Sequence, residues 1–555
     1  MKRFFPIILI IFISIPALWP LFQPGFFPSH DSIHIPRLYE LDKNLKDGQF
    51  PVRWVADFRY GEPTFNFYAP LPFYVGSAVH TLGFNLLVTI KILIGLGFVL
   101  SGLAMFYLAR ELWGEQAGIV AAALYIYAPY HSVDLYVRGA LSEALALIFF
   151  PLIFLFCYRI IQGCEGARRN IIGLGLSLAG LYLTHNILTV LFLPFILGWT
   201  VLLIWNKPGK LMILSKLVVS FSLGFGLAAF FLLPAFFERE FIQNGYLTQG
   251  YFDYRAHFVT LKEFFITKWG YGASLWGPED DMSFQIGLIH WGGLVVSILY
   301  VVLRRIKNKK LSGSELLIIP LLGAFLFSLY MQHNKSNFIW EAIPLMRFTQ
   351  FPWRFLGISI FLVSLIGVGF INQCKVQSAK GKVFLGFLIL VIIGVNISYF
   401  QPQRYDKDDN EQNYISKSVL QRDDKLPKDY LPVWVKNINT KTHIEMPEII
   451  TGQGSLYNYQ TRGVTASLAA DLTENSLIKV PISYFPGWVV TDFDKPVAYT
   501  EPSDLGLIQI QLSPGHHQLN LKFADTPIRL IGNLITLGTF ILLLSSSLWK
   551  RLKVF

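Results

Sequence analysis

Ser29-His30-Asp31-Ser32-Ile33-His34 follows the first apolar stretch and opens a long polar and aromatic loop. A carboxylate at Asp31, where membrane meets water, has two readings. It is a general base or metal ligand, or it is a helix N-cap that satisfies free backbone N–H groups ahead of 35–45. Ser29 fits the cap as well. His30 and His34 are four residues apart and share a face if the segment is helical, so with Asp31 they form a candidate metal set. A Ser-His-Asp relay is excluded, because consecutive side chains diverge.

A second stretch runs Tyr130-His131-Ser132-Val133-Asp134-Leu135-Tyr136-Val137-Arg138-Gly139-Ala140-Leu141-Ser142-Glu143. Glu143 falls inside the start of an apolar segment, where an ionisable group is costly and is either functional or paired. Asp134 and Glu143 are candidate catalytic groups, and an internal pair of Arg138 with either one accounts for them equally well. His185-Asn186 interrupts a long apolar run. It either points into the same cavity or forms a short polar turn. Arg347 and Arg354 flank Phe348, Phe351 and Trp353. Their planar guanidinium forks suit phosphate, and the aromatics suit an interfacial belt. Residues 238–281 add Tyr251, Tyr254, His257, Trp269, Tyr271 and Trp276 beside Asp280 and Asp281, a candidate sugar-stacking surface. No Walker loop, dinucleotide fingerprint, zinc-protease helix or Cys-x-x-Cys pair is present.

The elements that must hold these groups are membrane helices. Of 555 residues, 53% are hydrophobic, 15% are charged and 48 are Phe. That is too apolar for a soluble domain, and the apolar runs approach the ~20 residues that cross a bilayer core. The net charge of +11 sits in short clusters beside those runs, which marks inner loops rather than a nucleic-acid surface. Twelve spans are expected, with both termini inside: 4–22, 92–112, 118–128, 140–158, 171–183, 187–205, 217–236, 286–303, 316–331, 355–371, 383–400 and 528–548. Each inner loop then carries Lys or Arg, and Lys550, Arg551 and Lys553 close the chain. Outer loops span 23–90 and 237–285. The apolar stretch 68–85 reads as a juxtamembrane or re-entrant helix pair broken by Pro70 and Pro72. Lys2-Arg3 opens an uncleaved first helix, since no small-x-small site follows. Cys157, Cys164 and Cys374 lie at or beside inner loops, so no external disulfide framework is expected.

Residues 401–526 contain no long apolar run. Alternation at Ile508, Ile510 and Leu512, then at Leu519, Leu521 and Phe523, surrounds Ser513-Pro514-Gly515 and predicts a hairpin within a small extracytoplasmic β-sandwich. Tyr484-Phe485-Pro486-Gly487-Trp488 reads as a strand interrupted by a tight turn, and 406–411 as a solvated acidic linker. The predicted domains are 1–400, a transmembrane domain; 401–526, β-rich; and 527–555, a final helix with a basic tail.

On Ser29-His30-Asp31, the 134–143 stretch, Thr184-His185-Asn186, Gln350-Phe351-Pro352-Trp353-Arg354-Phe355, Tyr430-Leu431-Pro432 and Phe485-Pro486-Gly487-Trp488, the chain resembles bacterial 6-pyruvoyl-tetrahydropterin-synthase-related membrane proteins. The architecture resembles the C-type glycosyltransferase superfamily (GT-C), in which a first span precedes a long outer loop with an early acid. The resemblance implies transfer of a sugar from a polyprenyl-phosphate donor to an envelope or lipid acceptor at the outer face of a bacterial cytoplasmic membrane. Asp31 takes the place of the first acidic motif, as base, and Asp134 to Glu143 the place of the second. His30, Arg138, His185, Asn186, Arg347 and Arg354 are candidate substrate or phosphate contacts. The implied cofactor is Mg2+ or Mn2+, held by Asp134 and Glu143, although the second motif lacks an Asp-x-Asp pair. Partners are membrane lipids and the lipid-linked sugar, not nucleic acid. The rival reading is a transporter or assembly factor for envelope polymers. It calls for two corresponding halves with interrupted helices, which the chain lacks. A scaffold using the β-domain is a third reading.

Overall fold

The apolar runs form helices. The computed structural model describes residues 4–277, 280–307, 310–371, 379–421, 426–437, 443–500 and 502–552. Cys374, Lys309, Lys375 and Lys553 lie outside them. Among the described residues, nine helices are long and apolar enough to cross a membrane: Phe5–Phe22, Leu86–Trp113, Leu141–Gln162, Asn186–Ile204, Lys210–Phe237, Leu288–Ile306, Gly313–Tyr330, Gly381–Tyr399 and Pro527–Ser545. The remaining three expected spans coincide with Glu115–Ile126, Pro352–Ile366 and Ala167–Thr184. The first two are short, and the third starts in Arg168-Arg169, which dilutes its hydropathy.

The chain divides into two compact units: Met1–Ser32, Leu87–Phe225 and Thr248–Asp409; and Ile33–Leu86, Gly226–Leu247 and Asn410–Phe555. The first unit is helical. Its 115–126 helix packs on the first helix and on the 356–366 and 379–396 helices, and is buried along its whole length after Gln116. Small residues make this possible: Ala117, Gly118, Ala121, Ala122 and Ala123 let neighbouring helices approach closely.

Among its described residues, the second unit carries nine antiparallel strands: β1 (Glu448–Thr451), β2 (Gly454–Arg462), β3 (Thr465–Leu472), β4 (Ser476–Ser483), β5 (Trp488–Asp492), β6 (Lys495–Val497), β7 (Tyr499–Thr500), β8 (Leu507–Leu512) and β9 (Gly515–Phe523). They form two sheets, β1-β4-β8-β7 and β2-β3-β9-β5-β6. The two sheets enclose one apolar core, to which Trp54, Phe67 and Ile242 also contribute. Trp54 meets the Trp488 ring edge-on at 5.5 Å. Gly61 makes room for it: a Cβ there would lie 2.5 Å from the indole.

Three expectations fail here. The predicted hairpin does not form, because β8 pairs with β4 and β7 while β9 pairs with β3 and β5. Both strands turn their alternating apolar residues into the same core, so the period is identical whether strands pair or face each other. The 484–488 turn likewise leads from β4 in one sheet to β5 in the other. Pro70 and Pro72 do not break a helix. They start the Leu71–His80 helix, where a missing N–H costs nothing. The 406–411 stretch is largely exposed, but Asp406 bridges to Phe26 through the backbone.

The start of the last helix is tied by charge. Arg529, fully buried, donates from Nε and Nη2 to Glu238 Oε2 (3.0 and 2.9 Å) and to the Pro486 carbonyl (2.8 Å). Thr526 and Asn66 complete the carboxylate's shell.

Candidate functional site

The second acidic stretch folds into a wide, underwound turn. Val133–Arg138 is one π-helical turn that ends at Gly139 in the left-handed region (φ 68°), and Ala140 N–H donates to the Asp134 carbonyl at 2.8 Å. Single π-turns inside helical runs are frequent at functional sites. The turn places Asp134 and Arg138 in an ion pair and returns the chain so that Glu143 faces Arg138 Nη1 at 3.0 Å.

Glu143 is the hub of this site, with 1% of its side chain exposed. Tyr130 Oη donates to Oε1 at 2.7 Å, and Arg354 Nε donates to Oε2 at 3.2 Å. Arg138 also donates to Tyr130 Oη at 3.3 Å. Arg354 Nη1 reaches the Thr349 carbonyl (2.7 Å) and Gln350 Oε1 (3.1 Å). His185 breaks the helix between Thr184 and Asn186 with an extended backbone. Its Nδ1 accepts from Leu188 N–H at 3.1 Å, which leaves the proton of the neutral ring on Nε2, 4.0 Å from Glu143 Oε2. His185 therefore both caps a helix and faces the carboxylate. Two guanidinium groups against two carboxylates leave the cluster near charge balance, the condition for burial at membrane depth.

Aromatics cover the cluster. The Arg138 guanidinium lies 4.5 Å over the Trp353 ring, and Trp353 stacks on Phe351 at 4.7 Å. His257 and Tyr251 pack on Phe351 from the 248–287 loop, and His257 bonds Ser274 Oγ and the Tyr251 carbonyl. Burial lowers the His257 pKa, so this ring is a neutral packing element. Most rings of the loop are occupied this way: Tyr254 stacks on Trp340 and Trp269 on Tyr399, while Trp276 is exposed. They do not form one continuous sugar-stacking surface.

Asp31 lies beside this cluster, joined to it through the main chain. Its N–H donates to the Arg138 carbonyl at 2.8 Å, and His30 N–H donates to Val137 O at 3.3 Å. The Asp31 side chain is partly exposed and, among the described residues, has no hydrogen-bond or ion-pair partner. The cap reading fails: the helix begins at His34, its N-cap is Ile33, and no side chain caps it. His30 precedes that helix and bonds the Tyr271 carbonyl at 2.9 Å, so His30 and His34 do not share a helix face.

The structure thus joins Asp134, Arg138, Glu143, His185 and Arg354, with Asp31 and His30 alongside. Arg347 is exposed, and Asn186 is exposed next to His185. Tyr130 and Gln350 join the cluster with no chemistry of their own to mark them in the sequence beyond their position in the same motifs, and Trp353, expected in an interfacial belt, covers Arg138 instead.

The donor set does not fit Mg2+ or Mn2+ held by Asp134 and Glu143. Both Glu143 oxygens and Asp134 Oδ1 already face Arg138, Arg354 or Tyr130, and only Asp134 Oδ2 is without a partner. Hard divalent cations need several oxygens free of competing cations. Among the described residues, no three His, Cys, Asp or Glu side chains gather as a metal set.

The 149–162, 186–204 and 318–330 helices leave an apolar cavity of about 520 Å³, lined by Phe154, Phe195, Trp199, Leu321 and Phe327. Phe195 also packs on Phe355, the residue after Arg354.

Residues 65–398 match the family model described as 6-pyruvoyl-tetrahydropterin synthase related domain; membrane protein. A protein of undescribed function from Lactococcus lactis subsp. cremoris (strain MG1363) is 29% identical over 241 residues, which is 41% of this chain and 38% of that one. Among solved structures, the arabinofuranosyltransferase AftD from Mycobacteria gives a TM-score of 0.46 at 14% identity, over 74% of this chain and 28% of AftD. The Archaeoglobus fulgidus oligosaccharyltransferase in its apo form gives 0.41 at 15%, over 79% and 61%. ArnT from Cupriavidus metallidurans, solved with undecaprenyl phosphate, gives 0.35 at 13%, over 75% and 67%. This chain spans well under half the length of the L. lactis relative and of AftD. At these scores the structural likeness does not bear on function.

Proposed function

We propose a function on the premise that the match over residues 65–398 establishes: the chain belongs to the 6-pyruvoyl-tetrahydropterin synthase related family of membrane proteins. Our reading is a glycosyltransferase that moves a sugar from a polyprenyl-phosphate donor to an envelope or lipid acceptor at the extracytoplasmic face of a bacterial cytoplasmic membrane, with both termini cytoplasmic.

One observation carries the reading. A partner-free, partly exposed carboxylate, Asp31, is pinned by its own backbone to a buried and charge-balanced Arg–Glu cluster. Asp31 accepts the proton of an acceptor hydroxyl while that oxygen attacks the anomeric carbon. The bond from the anomeric carbon to the phosphate oxygen breaks, and polyprenyl phosphate leaves. General-base help of this kind supplies ~10²–10⁴ in rate. Asp134, Glu143, Arg138 and Arg354 hold Asp31 and the aromatic cover in place, since their charges are spent on one another. Exposed Arg347 suits the phosphate better, because its guanidinium is open to an anion. The 520 Å³ apolar cavity suits part of an isoprenoid chain. No step is routed through a metal.

The test uses the full chain in lipid nanodiscs with radiolabelled polyprenyl-phosphate pentoses and hexoses and an envelope extract as acceptor. Sugar transfer with release of polyprenyl phosphate from at least one donor supports the reading. Movement of intact lipid-linked sugar across the bilayer without cleavage favours the transporter.

A further inference from the structure

We infer that Gly139 is a positioning residue for Asp31, and that Ser29 adds a steric demand for glycine to that of the left-handed backbone at that place. The inference rests on the reading of Asp31 as base. Residues 29–31 run beside 137–139 and are held there by the bonds from Asp31 N–H to Arg138 O (2.8 Å) and from His30 N–H to Val137 O (3.3 Å). Gly139 has a φ of +68°, a conformation L side chains rarely adopt. A Cβ at this residue would lie 2.3 Å from Ser29 Oγ and 2.7 Å from Ser29 Cβ, where ordinary contact begins at 3.4 Å. The Ser29 side chain is too short to swing clear with both atoms. Any side chain at 139 therefore pushes the 29–31 segment away by about an ångström. The segment is also held by the His30 ring, which bonds the Tyr271 carbonyl at 2.9 Å.

The absence of a Cβ at 139 thus sets the distance between the base and the Arg138 turn. The two motifs, more than a hundred residues apart in sequence, act as one part. Misplacing a reacting group by ~1 Å costs on the order of 10²-fold in rate.

The experiment compares Gly139→Ala, Ser29→Gly and the double variant, each as full chain in nanodiscs. Hydrogen exchange is read at the His30 and Asp31 amides, and sugar transfer from the donor identified above is measured alongside. Gly139→Ala is expected to speed exchange at both amides at least tenfold and to slow transfer about 10²-fold. The double variant lacks both clashing atoms but keeps an alanine at φ +68°, so exchange falls most of the way back towards the Ser29→Gly baseline and transfer rises at least tenfold over Gly139→Ala. A general folding defect would not be rescued in this way. Unchanged exchange in Gly139→Ala overturns the inference, as does a double variant no better than Gly139→Ala. If exchange follows the expected pattern while Asp31→Asn transfers at the wild-type rate, the backbone lock stands and the base assignment falls.

Discussion

Glu143→Gln removes one charge and almost no volume, and the structure sets its cost. The carboxylate is 1% exposed and faces two guanidinium groups whose side chains are 5% and 10% exposed. Neutralising one member of a buried ion pair costs about 3–5 kcal/mol, because it leaves an uncompensated charge in low dielectric. Arg138 keeps Asp134, and Arg354 keeps the Thr349 carbonyl and Gln350 Oε1, so the low end, about 3 kcal/mol, is expected. The glutamine amide can satisfy Tyr130 or a guanidinium with its oxygen, but its NH2 then meets a second donor. The assay is equilibrium unfolding of the full chain in mixed detergent micelles, followed by tryptophan fluorescence and circular dichroism; coincident transitions license a two-state reading. Asp31→Asn, measured alongside, is expected to stay within about 0.5 kcal/mol of wild type, because its partly exposed carboxylate gives up no hydrogen bond or ion pair. A Glu143→Gln change below about 1 kcal/mol would refute the claim that this carboxylate balances the arginines.

Two further outcomes follow from other parts of the molecule. Burial raises the Asp280 pKa to about 6, above its ordinary 3.8, so the folded loop around Asp280 binds its proton more tightly than the unfolded segment. Loop stability is then greatest below about pH 4 and falls as pH rises towards 6. Hydrogen exchange of this loop, corrected for intrinsic rates, should quicken over that window and be flat for Asp280→Asn; protection that grows with pH would contradict the assignment. In the β-domain, Lys479→Cys with Gln509→Cys should cross-link on oxidation in a chain whose own cysteines are serine, because those residues oppose each other across β4 and β8. Gln509→Cys with Gln518→Cys should not, although a hairpin would make it do so.

The sequence made the helices legible because a bilayer leaves few alternatives: long apolar runs bounded by basic clusters correspond to helices at all twelve expected places. Membership of the polar cluster was partly legible too. Glu143 was conspicuous as a charge inside an apolar run, and Arg138 was a ready partner. What stayed hidden depended on long-range packing. Nothing local says that Ser29 abuts Gly139, or that Arg354 crosses 211 residues to reach Glu143. The β8–β9 error has the same root, since alternation reports which side chains are buried but not which strand lies alongside. The proline misreading was local: Pro70 and Pro72 lie at a helix start, where their geometry is favourable.

The central claim is that Asp31 does the chemistry while the Glu143 cluster holds it in place. Its most direct test is the rate of sugar transfer by Asp31→Asn in nanodiscs, with the unfolding midpoint measured on the same preparation. The account predicts a loss of ~10²-fold or more with the midpoint unchanged. Transfer within threefold of wild type would contradict it.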